Sequence, residues 1–221
     1  MLPHRLHGTA EKGRAMFELT ETIVPRQKPM KLSDYPYDPL FPQGVTFVGE
    51  PWEILSKHIG KIEHGGIYNF WTFGRYCMTD IINHLLRITG PADVTATTWS
   101  LNAASVQTML NRRKDGLLTD FKMWVDPRVR RANPEPLALL KHNFDTVIAP
   151  VHAKIALVGN KDWKISVSGS VNFTSNPQPE RGIIQCIDAV YDRDKEIIDA
   201  EFEKGDRLKL SDCEKGALDE R

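Results

Sequence analysis

The residues best suited to chemistry fall in one short stretch. Val151-His152-Ala153-Lys154-Ile155-Ala156-Leu157 is followed by Gly159-Asn160-Lys161-Asp162 and then by Trp163-Lys164-Ile165-Ser166-Val167-Ser168-Gly169-Ser170-Val171-Asn172. Two β-prone runs around a Gly-Asn-Lys-Asp turn predict a hairpin. Strand side chains alternate faces, so His152 and Lys154 are expected to project together from the first limb, and Ser170 and Asn172 from the second. Gly169 allows backbones to approach closely beside the polar pair. An imidazole, an ammonium, a hydroxyl and an amide then converge at one end. That set suits a phosphate: the ammonium supplies a point charge, the hydroxyl and amide supply neutral donors, and the imidazole is left to attack or to shuttle a proton.

In this order the residues resemble the signature of the phospholipase D superfamily, His-x-Lys, then an Asp, then Gly-Ser-x-Asn on the next strand. The matching positions are His152, Lys154, Asp162, Gly169, Ser170 and Asn172. The usual spacing puts the Asp at position 159, which is Gly159 here, so the hairpin is read as carrying three extra residues that displace Asp162 toward the turn. The resemblance implies that Glu180, in Asn176-Pro177-Gln178-Pro179-Glu180, is the acid that holds the histidine. It also implies a metal-independent phosphodiesterase without cofactors, of the kind found in single-motif bacterial dimeric endonucleases. That chemistry uses two histidines, one to attack phosphorus and form a phosphohistidine and one to protonate the departing oxygen. With one motif per chain, the second histidine must come from another copy, in a two-fold homodimer that joins two active-site faces. A protein that binds nucleic acid or builds an assembly without turnover is the alternative on the same fold. A lipid phosphodiesterase is third, since the chain has one motif and no basic amphipathic helix.

These residues need elements to position them. From Ile67 the chain alternates β-prone runs with stretches of helical period: strands over Ile67–Phe73, Ala92–Trp99 and Leu118–Val125, and helices over Tyr76–Ile88, Asn102–Arg113 and Glu135–His142. Three β-like runs without intervening helices follow, Thr146–Val158, Trp163–Phe173 and Gly182–Tyr191, and then a helix over Asp194–Lys204. The pattern predicts an α/β fold, a phospholipase D-like mixed sheet with helices on both faces, over residues 67–210. Residues 1–66 read as an N-terminal extension, rich in proline from Pro25 to Pro51, with a short helix over Trp52–Ile59. Residues 211–221 read as a polar tail.

The whole chain is ordinary for a globular protein: 221 residues, 41% hydrophobic, 26% charged, with 29 basic and 29 acidic side chains. A net charge near zero means that any polyanion site is local, and the basic excess falls in residues 67–149, 10 against 7. Arg112 and Arg113, with Arg130 and Arg131, are the candidates to line a nucleic-acid groove, against the reading of solvated helix ends. Trp71, Phe73, Trp99 and Trp163 are expected to pack in the core, although each has a face on which a base could stack. His4, His7, His58 and His64 lack the spacing of a metal site. Three cysteines without a Cys-x-x-Cys, no apolar run long enough to span a bilayer and no signal-peptide pattern lead to the expectation of a cytoplasmic protein without a membrane partner.

Overall fold

The computed structural model describes residues 51–206. The proline-rich stretch before Pro51 and the tail after Ser211 lie outside the described residues. The elements in chain order are α1 (Pro51–Ile59), β1 (Ile67–Trp71), α2 (Met78–Thr89), β2 (Ala92–Thr98), α3 (Ala103–Lys114), β3 (Leu118–Val125), α4 (Val129–Ala132), α5 (Pro134–Asn143), β4 (Asp145–Ile148), β5 (Lys154–Gly159), β6 (Lys164–Gly169), β7 (Arg181–Gln185) and α6 (Asp188–Lys204).

The seven strands form one mixed sheet in the order β1-β7-β6-β5-β2-β3-β4. β2, β3 and β4 pair in parallel, and the pairings β2–β5, β5–β6, β6–β7 and β7–β1 are antiparallel. It follows that β1, β2, β3, β4 and β6 all run one way while β5 and β7 run the other. Helices α1, α2, α3 and α5 cover one face and α6 packs on the other, against β3 to β6. This is the layered α/β architecture that the alternation of patterns predicts. Met78, Ile81, Ile82, Leu85 and Leu86 of α2 recur at helical spacing and are all fully buried, filling the centre of the larger core. Leu157, Tyr191 and Ile198 form the smaller core under α6. Among the described residues no helix is long and apolar enough to cross a membrane.

Several boundaries differ from the sequence pattern, each for a local reason. Thr146–Val158 is two strands, not one: the parallel ladder of β4 ends beyond Ala149, where Pro150 has no amide to donate, and the chain crosses the sheet end to enter β5. Gly182–Tyr191 ends as a strand at Gln185, and α6 starts at Asp188 because Tyr191 and Ile198, seven residues apart, seat the helix on the smaller core. Residues 51–62, assigned to the extension, belong to the domain, since Ile54, Leu55, Ile59 and Ile62 are buried in the main cluster beside α2. Cys77 and Cys186 are buried free thiols, and burial pushes each pKa up to about 11.

Leu55 is fully buried in α1. Leu55→Ala should therefore lower stability by about 2–5 kcal/mol in urea unfolding. Unfolding at the parent midpoint would show that α1 is an appendage.

Candidate active site

The antiparallel entries of β5 and β7 bring seven chain segments to one end of the sheet. There the C-terminal ends of β1, β2, β3, β4 and β6 meet the starts of β5 and β7, and ligand sites of open α/β sheets form at such strand ends. His152 is on the segment that leads into β5. Two side chains from neighbouring strands fix this segment. Asp126, just after β3, accepts a hydrogen bond from the Val151 amide at 3.1 Å. Thr97 of β2 donates to the Ala153 carbonyl at 2.8 Å and accepts from the Ile155 amide at 3.1 Å. His152 is thus held from both sides by its backbone while its imidazole remains exposed, edge-on to Trp99 with ring centroids 4.6 Å apart.

Lys154, the first residue of β5, is only 6% exposed. Its ammonium donates to the His152 carbonyl at 2.8 Å and lies 4.2 Å from the centre of the Trp99 ring. The Arg128 guanidinium lies 4.3 Å from the same ring centre and pairs with Asp126 at 2.6 Å. Burial, then the charge of Arg128, pushes the Lys154 pKa down, while the carboxylates of Glu180 and Asp126 pull it back. An arriving phosphate would relieve the same burden, since an anion favours the charged ammonium.

The second set comes from the end of β6. Gly169 is opposite Lys154 in the β5 register and opposite Gly182 in β7. A Cβ on Gly169 would collide with the Arg181 carbonyl and the Gly182 Cα, so this position requires glycine for the strands to close. Beyond it Ser170 exchanges hydrogen bonds with the Arg181 backbone, donating to the carbonyl at 3.4 Å and accepting from the amide at 3.2 Å. The Asn172 side chain accepts from Thr98 at 3.4 Å, and its carbonyl accepts from the Met78 amide at 3.0 Å, tying it to the start of α2. Glu180, 7% exposed, precedes β7; burial pushes its carboxyl up, and a hydrogen bond from Asn176 and the charge of Lys154 hold it back. Its backbone is locked to Thr72, which donates to the Glu180 carbonyl at 2.9 Å and accepts from its amide at 3.3 Å.

His152, Lys154, Ser170, Asn172 and Glu180 therefore gather at one sheet end, but strand alternation is not what gathers them. Of the five only Lys154 is on a strand; β6 stops at Gly169, and the others sit in the segments that flank strands. Among the described residues the imidazole of His152 makes no hydrogen bond with Glu180, whose carboxylate is engaged by Asn176 and Lys154. Asp162 is at the far end of β5, about 17 Å of strand from Lys154, in a turn closed by Asn160, whose side chain accepts from the Asp162 and Trp163 amides at 2.9 Å each. Arg112 and Arg113 end α3 at the opposite end of the sheet, bonded to Asp115 and to the Asn143 carbonyl. Arg130 and Arg131 are in α4, on the site side of β3, with Arg130 near Asp206.

Three contributors escape a reading of the motif alone: Asp126, Arg128 and Trp99. Trp71, Phe73 and Trp99 are exposed or half-buried outside the core, because they sit at strand ends that open onto the site, whereas Trp163 packs half-buried against the main core. The available signal for Asp126 is an acid between the buried end of β3 and Pro127, where the chain must turn away. Among the described residues no three His, Cys, Asp or Glu side chains cluster as metal ligands.

No family model and no curated relative matches the sequence. Solved structures do. Nuc from Salmonella typhimurium, a phospholipase D family member, is 14% identical and superposes with a TM-score of 0.51 over 65% of this chain and 98% of its own. The chain has the phospholipase D fold. NucT from Helicobacter pylori (13% identical, 65% of this chain and 100% of its own, TM-score 0.46) and polyphosphate kinase from Porphyromonas gingivalis (16%, 66% and 27%, TM-score 0.46) also match. Gly159 stands where the motif resemblance expects an Asp, and a Cβ there would meet the Tyr191 hydroxyl from α6.

Asp126 is buried, which would raise its pKa, but the hydrogen bonds from Arg128 and Val151 outweigh burial and hold it below the usual carboxylate range. Its folded pKa is depressed, so its contribution to stability is complete above the unfolded carboxylate pKa and is lost as the pH falls through the lowered folded value. Asp126→Asn should cost about 1–3 kcal/mol at neutral pH, and thermal melts should show the gap to the parent closing in acid. A gap independent of pH would contradict the charge argument. Gly159→Asp should destabilise by about 1–3 kcal/mol through overpacking, and Tyr191→Phe in the same chain should recover part of the loss in a double-mutant cycle. Additive costs would show that Gly159 and Tyr191 do not share the space.

Proposed function

We propose that this protein is a metal-independent phosphodiesterase, a nuclease, whose active site is shared by two subunits. The observation that carries the reading is the exposed imidazole of His152 beside the buried ammonium of Lys154, at the end of a phospholipase D sheet. One His152 attacks phosphorus, forming a nitrogen–phosphorus bond as the bond to the leaving oxygen breaks. The His152 of the second copy gives its proton to that oxygen, then takes one from the water that attacks the phosphohistidine and releases the first imidazole. Lys154 and Asn172 face the charge that grows on the nonbridging oxygens, and Arg128 adds a second cation beside Lys154. Asp126 and Thr97 act as positioning residues that aim the backbone of His152. Ser170 and Glu180 complete the wall, and Arg130 and Arg131 lie where a strand of nucleic acid leaving the site would run. A second reading, binding without turnover, draws on Gly159 at the position where the family carries an acid.

The test is cleavage of single- and double-stranded DNA and RNA in excess EDTA. Activity should persist there and vanish in a folded His152→Ala variant; strict dependence on added Mg²⁺, or activity in that variant, rejects the reading. Lys154→Ala should lower kcat and not merely raise KM. Because the site is shared, mixing His152→Ala with parent subunits should reduce activity faster than the parent fraction falls, and a linear decline would show that each chain works alone.

A further inference from the structure

One indole at the site is surrounded by charge instead of by core. Trp99 follows the last residue of β2 and belongs to neither hydrophobic cluster. Its backbone is fixed on both sides. The Asp126 amide donates to the Thr98 carbonyl at 3.0 Å, and the Thr98 hydroxyl accepts from the Ser100 amide at 3.3 Å and donates to the Ser100 carbonyl at 2.9 Å. The ring centre then lies 4.2 Å from the Lys154 ammonium, 4.3 Å from the Arg128 guanidinium carbon and 4.6 Å from the centre of the His152 imidazole. Each cation gains from the aromatic face, but two cations on one ring also repel each other: burial first, and then the charge of Arg128, push the Lys154 pKa down. An anion between them removes that repulsion.

Arg128 is fixed, yet its outer edge is unused. Its Nε donates to Asp126 at 2.6 Å, its backbone amide donates to the same carboxylate oxygen at 3.0 Å, and its guanidinium carbon stands over the indole. Among the described residues neither Nη atom makes a hydrogen bond, and the side chain is 55% exposed. The other Asp126 oxygen accepts from the Val151 amide, one residue before His152. One carboxylate thus sets both the guanidinium and the segment that carries the imidazole, and one indole touches the imidazole and both cations.

We propose that Arg128 is an oxyanion clamp whose two Nη groups each bind one unesterified oxygen of a phosphate, with Trp99 and Asp126 as the positioning residues that hold the fork. A planar fork matches a pair of oxygens in a way that a single ammonium cannot. A phosphodiester has two such oxygens, and charge grows on them when an imidazole attacks phosphorus. This assignment rests on the phosphodiesterase reading and adds to it the group that turns the phosphate to face His152.

The experiment uses the full chain in excess EDTA, with two readouts: binding of inorganic phosphate by isothermal titration calorimetry, and hydrolysis of bis(p-nitrophenyl) phosphate. Arg128→Ala should weaken phosphate binding about tenfold or more and lower kcat for the ester at least as much. Arg128→Lys keeps the charge and loses the fork, so it should recover only a minor part of either loss. Trp99→Leu should weaken binding about threefold or more, whereas Trp99→Phe, which keeps a ring, should retain most of it. Guanidinium chloride at millimolar concentration should partly restore hydrolysis by Arg128→Ala, where equal sodium chloride does not. It should fail to do so when Trp99→Leu is added, because the shelf that orients it is gone. Parent affinity in Arg128→Lys, rescue that does not differ between the two backgrounds, or no phosphate binding by the unsubstituted protein overturns the clamp. Arg128-dependent phosphate binding without hydrolysis removes the enzyme reading alone, and hydrolysis that Arg128→Ala and Trp99→Leu leave unchanged removes the clamp alone.

Discussion

An ammonium buried at the end of the central sheet is the constraint around which the site is organised. Removing a charge from water is costly unless neighbouring groups compensate, and Lys154 is 6% exposed. The compensation comes from separate parts of the chain: the His152 carbonyl, the face of Trp99, and the carboxylates of Glu180 and Asp126. Each of these is placed by a different strand end. A cation so enclosed has few conformations left, which is the preorganisation that electrostatic stabilisation of a developing charge requires.

The fold was largely legible in the sequence because most of its elements are governed by local periodicity. The stripe from Met78 to Leu86 and the β-prone runs over 92–98 and 118–125 identify themselves. Periodicity fails where tertiary contacts decide. Nothing local separates β4 from β5, since both are β-prone and only their different neighbours in the sheet tell them apart. The start of α6 at Asp188 depends likewise on the seat that Leu157 offers to Tyr191.

The site was legible as a set of residues and less so as a geometry. His152, Lys154, Ser170, Asn172 and Glu180 stand near one another because chain segments cross the same sheet end, whereas alternation along a strand would have been a simpler cause. Asp126 and Arg128 come from a segment some twenty-five residues upstream of His152, and no spacing rule links them to it. Arg112 and Arg113 show the converse: a basic run looks promising in a sequence, yet a helix of twelve residues carries it to the wrong end of the sheet.

Thr72 and Glu180 are bonded at a sequence separation of 108 residues. Among the described residues the edge strand β1 comes early, and its only partner, β7, comes almost last. Closing so long a loop costs entropy before any contact repays it, which makes this pairing slow compared with the local βα units between. During synthesis β1 must wait for β7 until nearly all of the described residues have left the ribosome. The wall of the site that contains Glu180 is therefore assembled at the end, and a chain stopped short of β7 keeps the central sheet but never closes around Lys154.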